Sequence, residues 1–241
     1  MNPKDKIVLI TGGSRGIGLE IVEQFHDAGA RVISTATKKE NFPSIKDEQD
    51  VIFLEVDFLS ASSTWEFLYV IQGIKVDALI NNAGIFYSEK LGSIDSERWD
   101  DVMKVNLTAP MLVSNTVARG MKERKQGKII NISSIAAEIS KIGHSAYSAS
   151  KAGLNGFTRA CALDMAPYNV LVNAVCPGTT VTDMTRKEIT EERRLDIRNK
   201  IPLNKLGNTT DIANLVLFLA SDLNTNITGQ AINIDGGYTT Q

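Results

Sequence analysis

The run Lys6-Ile7-Val8-Leu9-Ile10 is apolar at four successive positions, and Val76-Asp77-Ala78-Leu79-Ile80 at four of five. A strand with one wet face alternates apolar and polar residues, whereas near-continuous apolar runs belong to strands covered on both faces. Similar β-branched runs recur, and strands are expected at 6–11, 31–36, 51–56, 76–81, 128–133, 170–175 and 231–235. Amphipathic stretches separate them and predict helices at 15–28, 60–72, 97–119, 146–165, 184–199 and 209–221. Strand and helix in alternation imply right-handed crossovers, hence an α/β fold: a doubly wound parallel sheet of seven strands with helices on both faces. With 241 residues, 43% of them hydrophobic, and no linker or low-complexity tract, the chain is expected to form a single domain over 1–241. Segment 38–50 carries Pro43 and has room only for a turn or a stub of helix.

The turn after the first strand is Thr11-Gly12-Gly13-Ser14-Arg15-Gly16-Ile17-Gly18. Glycines let a backbone turn tightly and let a phosphate approach, and the following helix N-terminus offers unpaired N–H groups to an anion. In this strand–turn–helix context the turn reads as a dinucleotide site of Rossmann type, with Gly12, Ser14, Arg15 and Ile17 as candidate contacts. The alternative use is helix–sheet packing alone. An NAD-selective site places an acid near the end of strand two. Here that strand runs into Ser34-Thr35-Ala36-Thr37-Lys38-Lys39, with no acid before Glu40. Arg15, Thr37 and Lys38 instead form a candidate cradle for a 2′-phosphate, which predicts NADP(H).

Tyr147 and Lys151 stand four residues apart on an expected helix, so they share one face, thirteen residues beyond Ser134. A phenol of pKa about 10 is a poor proton-transfer group at neutral pH, and moving it to about 7 takes roughly 4 kcal/mol. A cation within about 4–6 Å supplies part of that, and a cationic cofactor ring alongside would supply the rest.

Taken in order, these pieces resemble the short-chain dehydrogenase/reductase family over the whole chain. The matching residues are Thr11 to Gly18, Asp57, Asn81-Asn82-Ala83-Gly84, Asn106, Ser133-Ser134, Tyr147 with Lys151, Pro177-Gly178 with Thr182, and Asp235-Gly236-Gly237. The resemblance implies strand order 3-2-1-4-5-6-7 and a homotetramer. It implies Tyr147 as the acid that protonates a substrate carbonyl and Lys151 as the group that tunes it and holds the nicotinamide ribose. Ser134 would donate to the substrate oxygen, and Asn106 would hold a proton-relaying water. Asp57 with Phe58 would meet the adenine, and Asn82, Ala83 and Gly84 the adenosine side. Pro177, Gly178, Thr180 and Thr182 would cover the nicotinamide and pyrophosphate. Asp57 could instead cap the following helix, and Pro177-Gly178 could be a plain turn.

Within the family the look is nearest to the 3-oxoacyl-[acyl-carrier-protein] reductases, which implies an acyl carrier protein as a partner. A sugar, polyol or other small-ketone dehydrogenase is the competing reading, and a silent dinucleotide-binding regulator the distant one. An acidic carrier calls for basic residues near the site entrance. Lys128 is the expected candidate, while Tyr168 stands where those reductases often carry a base. Segment 184–208 is expected to be a substrate lid. Small residues Ala149, Ala152, Gly153, Gly156 and Ala160 allow close helix approach, within the subunit or across a two-fold axis.

A net charge of −2 gives no pointer to a nucleic-acid partner. No run approaches a membrane span, and residues 1–6 show no leader pattern, so a cytoplasmic, non-membrane protein is expected. No metal is expected. Cys161 and Cys176 are read as buried free thiols, Trp65 and Trp99 as packing residues, and His144 as a candidate for the substrate cleft. Asn106 and Asn131 each begin an Asn-x-Ser/Thr triplet.

Overall fold

The computed structural model describes residues 4, 6–45, 50–181 and 190–241. Seven parallel strands form one sheet in the order β3-β2-β1-β4-β5-β6-β7, as expected. They are β1 (Ile7–Thr11), β2 (Arg31–Ala36), β3 (Val51–Glu55), β4 (Ala78–Asn81), β5 (Gly127–Ile132), β6 (Val170–Pro177) and β7 (Ala231–Ile234). The helices are α1 (Gly16–Asp27), α2 (Ala61–Ile71), α3 (Ser96–Met103), α4 (Ala109–Arg124), α5 (Ser145–Met165), α6 (Glu191–Asn199) and α7 (Thr209–Ala220). Between β2 and β3 only a short 3-10 turn, Lys39–Asn41, is present among the described residues.

Alternate side chains of each strand enter opposite cores. Leu9, Leu79, Ile129 and Val172 join Phe67, Ile71, Val113, Val117 and Met165 on the face of α2, α4 and α5. Val8, Ile10, Ile80 and Ile130 join Ile21, Phe25, Ile212 and Val216 on the face of α1 and α7. Burying one such aliphatic or aromatic side chain stabilises by about 1.5–3 kcal/mol, so a strand sealed on both faces is anchored twice.

A polar strip crosses one core. Asn81 Nδ2 donates to Asn131 Oδ1 at 2.8 Å and to Ser114 Oγ at 3.0 Å, while Asn131 Nδ2 donates to Thr158 Oγ1 at 2.8 Å. These bonds tie α4 and α5 to the centre of the sheet. Asn106 and Asn131 are both fully buried, so neither triplet is presented for glycosylation.

The expected helix at 97–119 is broken by a π-helical turn, Lys104–Thr108, between α3 and α4. Pro110 explains part of it, because proline has no N–H to give to the carbonyl four residues earlier. That carbonyl belongs to Asn106. Asn106 also pins the turn: its Oδ1 accepts the Ile85 N–H at 2.8 Å and its Nδ2 donates to the Ile85 carbonyl at 2.9 Å. Such bulges recur at functional sites. Trp65, expected to pack, is 63% exposed instead, and Cys161 is only half-buried. No described helix is long and apolar enough to cross a membrane.

Candidate active site

The strand order reverses between β1 and β4, the position where parallel sheets open a crevice beyond their carboxyl ends. In register there, Thr11 stands beside Asn81, Asn81 beside Asn131, and Asn131 beside Ala174. The glycine turn, Asn82, Ser134 and Pro177 all follow from that common edge.

Thr11 Oγ1 accepts the N–H groups of Asn82 at 3.0 Å and Ala83 at 3.1 Å, and Asn82 Nδ2 donates to the carbonyls of Thr11 at 3.1 Å and Gly12 at 2.8 Å. On the other side the Gly12 N–H donates to Thr35 Oγ1 at 2.9 Å. Gly12 has φ +70°, and a Cβ there would lie 2.9 Å from Ala83 Cα. A Cβ on Gly18 would lie 2.1 Å from the Gly12 carbonyl oxygen. The turn is therefore stapled flat against the sheet. Arg15 precedes α1 with no side-chain cap, which leaves the first-turn N–H groups of that helix for an anion. Ser14 and Ile17 flank them, both half-buried. This cradle fits a dinucleotide pyrophosphate.

Arg15, Thr37 and Lys38 are all exposed at the rim. Lys38 Nζ lies 3.7 Å from Glu40 Oε1, so its charge is partly answered within the loop. Glu55, beside Ala36 in register, is an acid at this edge that a reading of β2 alone misses. Its carboxylate accepts the Lys39 N–H at 3.2 Å.

Asp57 Oδ1 accepts the Leu59 N–H at 2.9 Å, and the cap of α2 is Ser60, not Asp57. The Phe58 ring packs edge-on against Phe67 in the core at 6.0 Å, so only its main chain is available to a ligand. Gly84 is exposed beside Asn106 and Lys151: a Cβ there would lie 3.3 Å from Asn106 Oδ1 and 3.7 Å from Lys151 Nζ. Pro177 is buried, the Gly178 N–H donates to the Ile234 carbonyl at 3.0 Å, and Thr180 Oγ1 donates to the Gly178 carbonyl at 3.0 Å. Thr182, and the part of the expected lid at 184–189, lie outside the described residues.

Tyr147 and Lys151 sit one turn apart in α5. Lys151 is 4% exposed; its Nζ lies 5.7 Å from the Tyr147 ring centroid and donates to the Ile132 carbonyl at 2.8 Å. Burial brings its pKa down to about 8. Burial also pushes the Tyr147 phenol above its ordinary value, while a hydrogen bond with the Ser134 side chain works against that rise. The direction is opposite to the lowering expected from a nearby cation, because desolvation outweighs a lysine whose own charge is disfavoured. Ser134 Oγ already accepts the Ala136 N–H at 3.0 Å, which leaves its proton free to point at an oxygen in the cleft. Asn106 Nδ2 reaches Ser150 Oγ, in α5 between Tyr147 and Lys151, at 3.2 Å. The four expected catalytic residues are thus brought together.

Two residues join them that motif reading left out or left open. Phe86 packs against Tyr147 at 5.5 Å between centroids and against His144 at 4.7 Å. A lone aromatic in a loop carries no sequence signal; only the bridge between Glu89 and His144 brings its loop to the start of α5. Lys141 and Arg193 lie close enough to lower the His144 pKa, after burial, so α6 faces this side of the cleft.

Lys128, expected at the entrance, is not there. It lies at the start of β5, six residues and so about 20 Å of strand from Ser134, and its Nζ donates to the Asn224 carbonyl. Tyr168 lies just before β6, at the same far end, with Lys122 Nζ 5.2 Å above its ring. No cluster of three metal-ligating side chains occurs among the described residues.

The family model for short chain dehydrogenase matches residues 6–193. The chain is 40% identical over 242 residues to the 3-oxoacyl-[acyl-carrier-protein] reductase FabG of Aquifex aeolicus, covering 96% of each chain. It is 38% identical to the enzyme of the same name from Escherichia coli K12, covering 98% of each. Among solved structures, a putative gluconate dehydrogenase from Agrobacterium tumefaciens superposes with TM-score 0.93 at 29% identity, over 99% of this chain and 97% of the other. ElxO with NADP bound superposes with TM-score 0.90 at 30% identity, over 98% and 100%. With its glycine cradle, its Ser134–Tyr147–Lys151 cluster and these matches along nearly its whole length, the chain belongs to the short-chain dehydrogenase family.

Proposed function

We propose that the protein is an NADPH-dependent reductase that converts the ketone of a 3-oxoacyl-[acyl-carrier-protein] thioester to a secondary alcohol. The observation that carries the reaction class is the meeting of the Ser134 and Tyr147 hydroxyls beside a buried Lys151. A raised phenol pKa keeps Tyr147 protonated at neutral pH, as an acid in the reducing direction must be. Ser134 donates to the same carbonyl oxygen as negative charge builds there. The carbonyl of Asn106, denied its α-helical donor by Pro110, is suited to hold a water that returns a proton toward Lys151. The reduced nicotinamide supplies the hydride when bound. Gly12, Ser14, Arg15 and Ile17 would hold the pyrophosphate, Arg15 and Thr37 the 2′-phosphate, and Asp57, Asn82 and Ala83 the adenosine.

The carrier-bound substrate is supported by the two reductases of that name at 40% and 38% identity. It also fits the surface. Leu91 and Ile142 are 92% and 83% exposed on the loops that meet at the Glu89–His144 bridge, with Lys141 next to Ile142. An acyl chain and an acidic partner would both find complements there. The second reading is a keto-sugar acid, favoured by the gluconate dehydrogenase likeness and by Lys141 and Arg193 beside His144. The deciding experiment is turnover of an acetoacetyl thioester against a panel of keto-sugars with NADPH. Absence of thioester reduction, with a keto-sugar reduced, transfers the assignment to the second reading.

We further place Ala149, Ala152, Gly156 and Ala160 of α5 at a two-fold interface of a homotetramer.

A further inference from the structure

His144 is the last residue before α5, three positions ahead of Tyr147. Its ring is fixed by two neighbours: Phe86 at 4.7 Å and Tyr147 at 6.3 Å between centroids, the latter nearly perpendicular at 89°. Its Nδ1 is shielded from solvent and has no hydrogen-bond partner among the described residues. A shielded polar atom left unpaired is costly, and a native structure retains one where something else is gained.

Burial, with Lys141 and Arg193 nearby, lowers the His144 pKa, so the ring is neutral at pH 7. A neutral imidazole has one N–H and one bare nitrogen. A dry, unpaired position suits the bare nitrogen, which puts the proton on Nε2. Nε2 has neither a partner among the described residues nor the shielding of Nδ1, so it is the nitrogen open to a ligand.

We propose that His144 is a specificity-determining residue that donates a hydrogen bond from Nε2 to a second oxygen of the substrate, set two carbons from the ketone held by Ser134 and Tyr147. The two rings lie 6.3 Å apart between centroids, a separation that one small molecule can span when a hydrogen bond of about 2.8–3.0 Å is added at each end. A 1,3-dicarbonyl has such a second acceptor; a simple ketone has none. The proposal rests on the 3-oxoacyl reading above and adds how that substrate is told from other ketones. Phe86 contributes the apolar wall that holds the imidazole edge in place.

The test is the ratio of kcat/KM for the N-acetylcysteamine thioester of acetoacetate to kcat/KM for 2-heptanone, both with NADPH. The ratio is expected to fall about tenfold in His144→Phe and His144→Leu, the worth of one hydrogen bond. His144→Gln, whose amide can donate, is expected to restore it to within about threefold of the parent. A purely packing role would move both substrates together and leave the ratio unchanged, and that result overturns the proposal. So does a Gln variant no better than the apolar ones. Leu is offered beside Phe because its smaller side chain avoids overpacking against Phe86. A parent protein inactive on the thioester sinks the 3-oxoacyl reading, and this inference with it; an active parent with an insensitive ratio sinks the inference alone.

Discussion

Lys151 Nζ lies 5.7 Å from the centroid of the Tyr147 ring and spends one of its protons on the Ile132 carbonyl at 2.8 Å. The strand-five carbonyl therefore orients the ammonium toward the tyrosine. Both groups are displaced from their solution behaviour by the same burial, the phenol upward and the ammonium downward to about 8. Each shift moves its group toward the neutral form. At neutral pH the phenol keeps its proton and the lysine, which releases its own only near pH 8, still carries most of its charge. A bound nicotinamide bearing positive charge would favour the phenolate in the oxidising direction.

Removing the Tyr147 hydroxyl leaves the cofactor cradle, built from Thr11, Gly12, Asn82 and Thr35, untouched. Tyr147→Phe should lose at least about a hundredfold in kcat, the range of a positioned general acid. NADPH binding followed by fluorescence should stay within about threefold of the parent. Near-parental turnover in this variant would show that another group protonates the carbonyl.

The low pKa of Lys151 has a consequence for stability. In the unfolded chain the ammonium holds its proton to about pH 10.4. In the folded protein it releases it near pH 8. Between those values the unfolded state binds more protons, so this group makes folding more favourable as pH rises from about 8 toward 10.4. Urea titrations of the cofactor-free protein at pH 7.5 and pH 9.5 should show that rise, and Lys151→Met should lack it. Identical pH slopes in the two proteins would contradict the burial argument.

Arg15 is exposed at the start of α1 and Thr37 is exposed just after β2, while the acids Glu40 and Glu55 are engaged with Lys38 and the Lys39 N–H. A 2′-phosphate gains a charge-assisted contact from Arg15; a 2′-hydroxyl does not. Arg15→Ala should lower kcat/KM for NADPH by about tenfold and leave NADH within about twofold, compared in parallel steady-state assays. Equal losses on both cofactors would place Arg15 on the pyrophosphate instead.

The strands were readable because burial on both faces removes polar residues: Val8, Leu9 and Ile10 cannot belong to a half-wet strand. The cradle was readable because Gly12 and Gly18 sit where a Cβ would collide. What stayed hidden depends on tertiary neighbours. The π turn arises from Pro110 together with the Ile85 main chain, twenty-one residues before Asn106. Lys128 looked available because a basic side chain at a strand start reads the same whichever end of the sheet the site occupies. Phe86 and His144 meet only once two loops bridge at Glu89. Trp65 looked like core by residue type, yet it occupies the outer face of α2.

The face of α5 away from Tyr147 carries Ala149, Ala152, Gly156 and Ala160 in steps of three and four, and the same stripe ends at Leu163, which is 78% exposed. Gly153 instead packs within the chain, where a Cβ would lie 2.9 Å from Leu107 Cδ2. A Cβ on Gly156 would meet only the tip of Arg159 at 3.9 Å, so packing within the chain does not require glycine there. A smooth stripe ending in an exposed leucine is what a helix needs to lie close against its own copy, with small residues letting the backbones approach. Burying Leu163 would remove apolar surface from water at about 25 cal/mol per Å2, a gain that a charged residue forfeits and reverses. Multi-angle light scattering at micromolar concentration should give the mass of a tetramer for the parent. Leu163→Arg and Gly156→Leu should each yield smaller species, with the Tyr147–Lys151 pair on the opposite side of the helix left intact. A parent that runs as a monomer, or variants that retain the full assembly, would remove α5 from the interface.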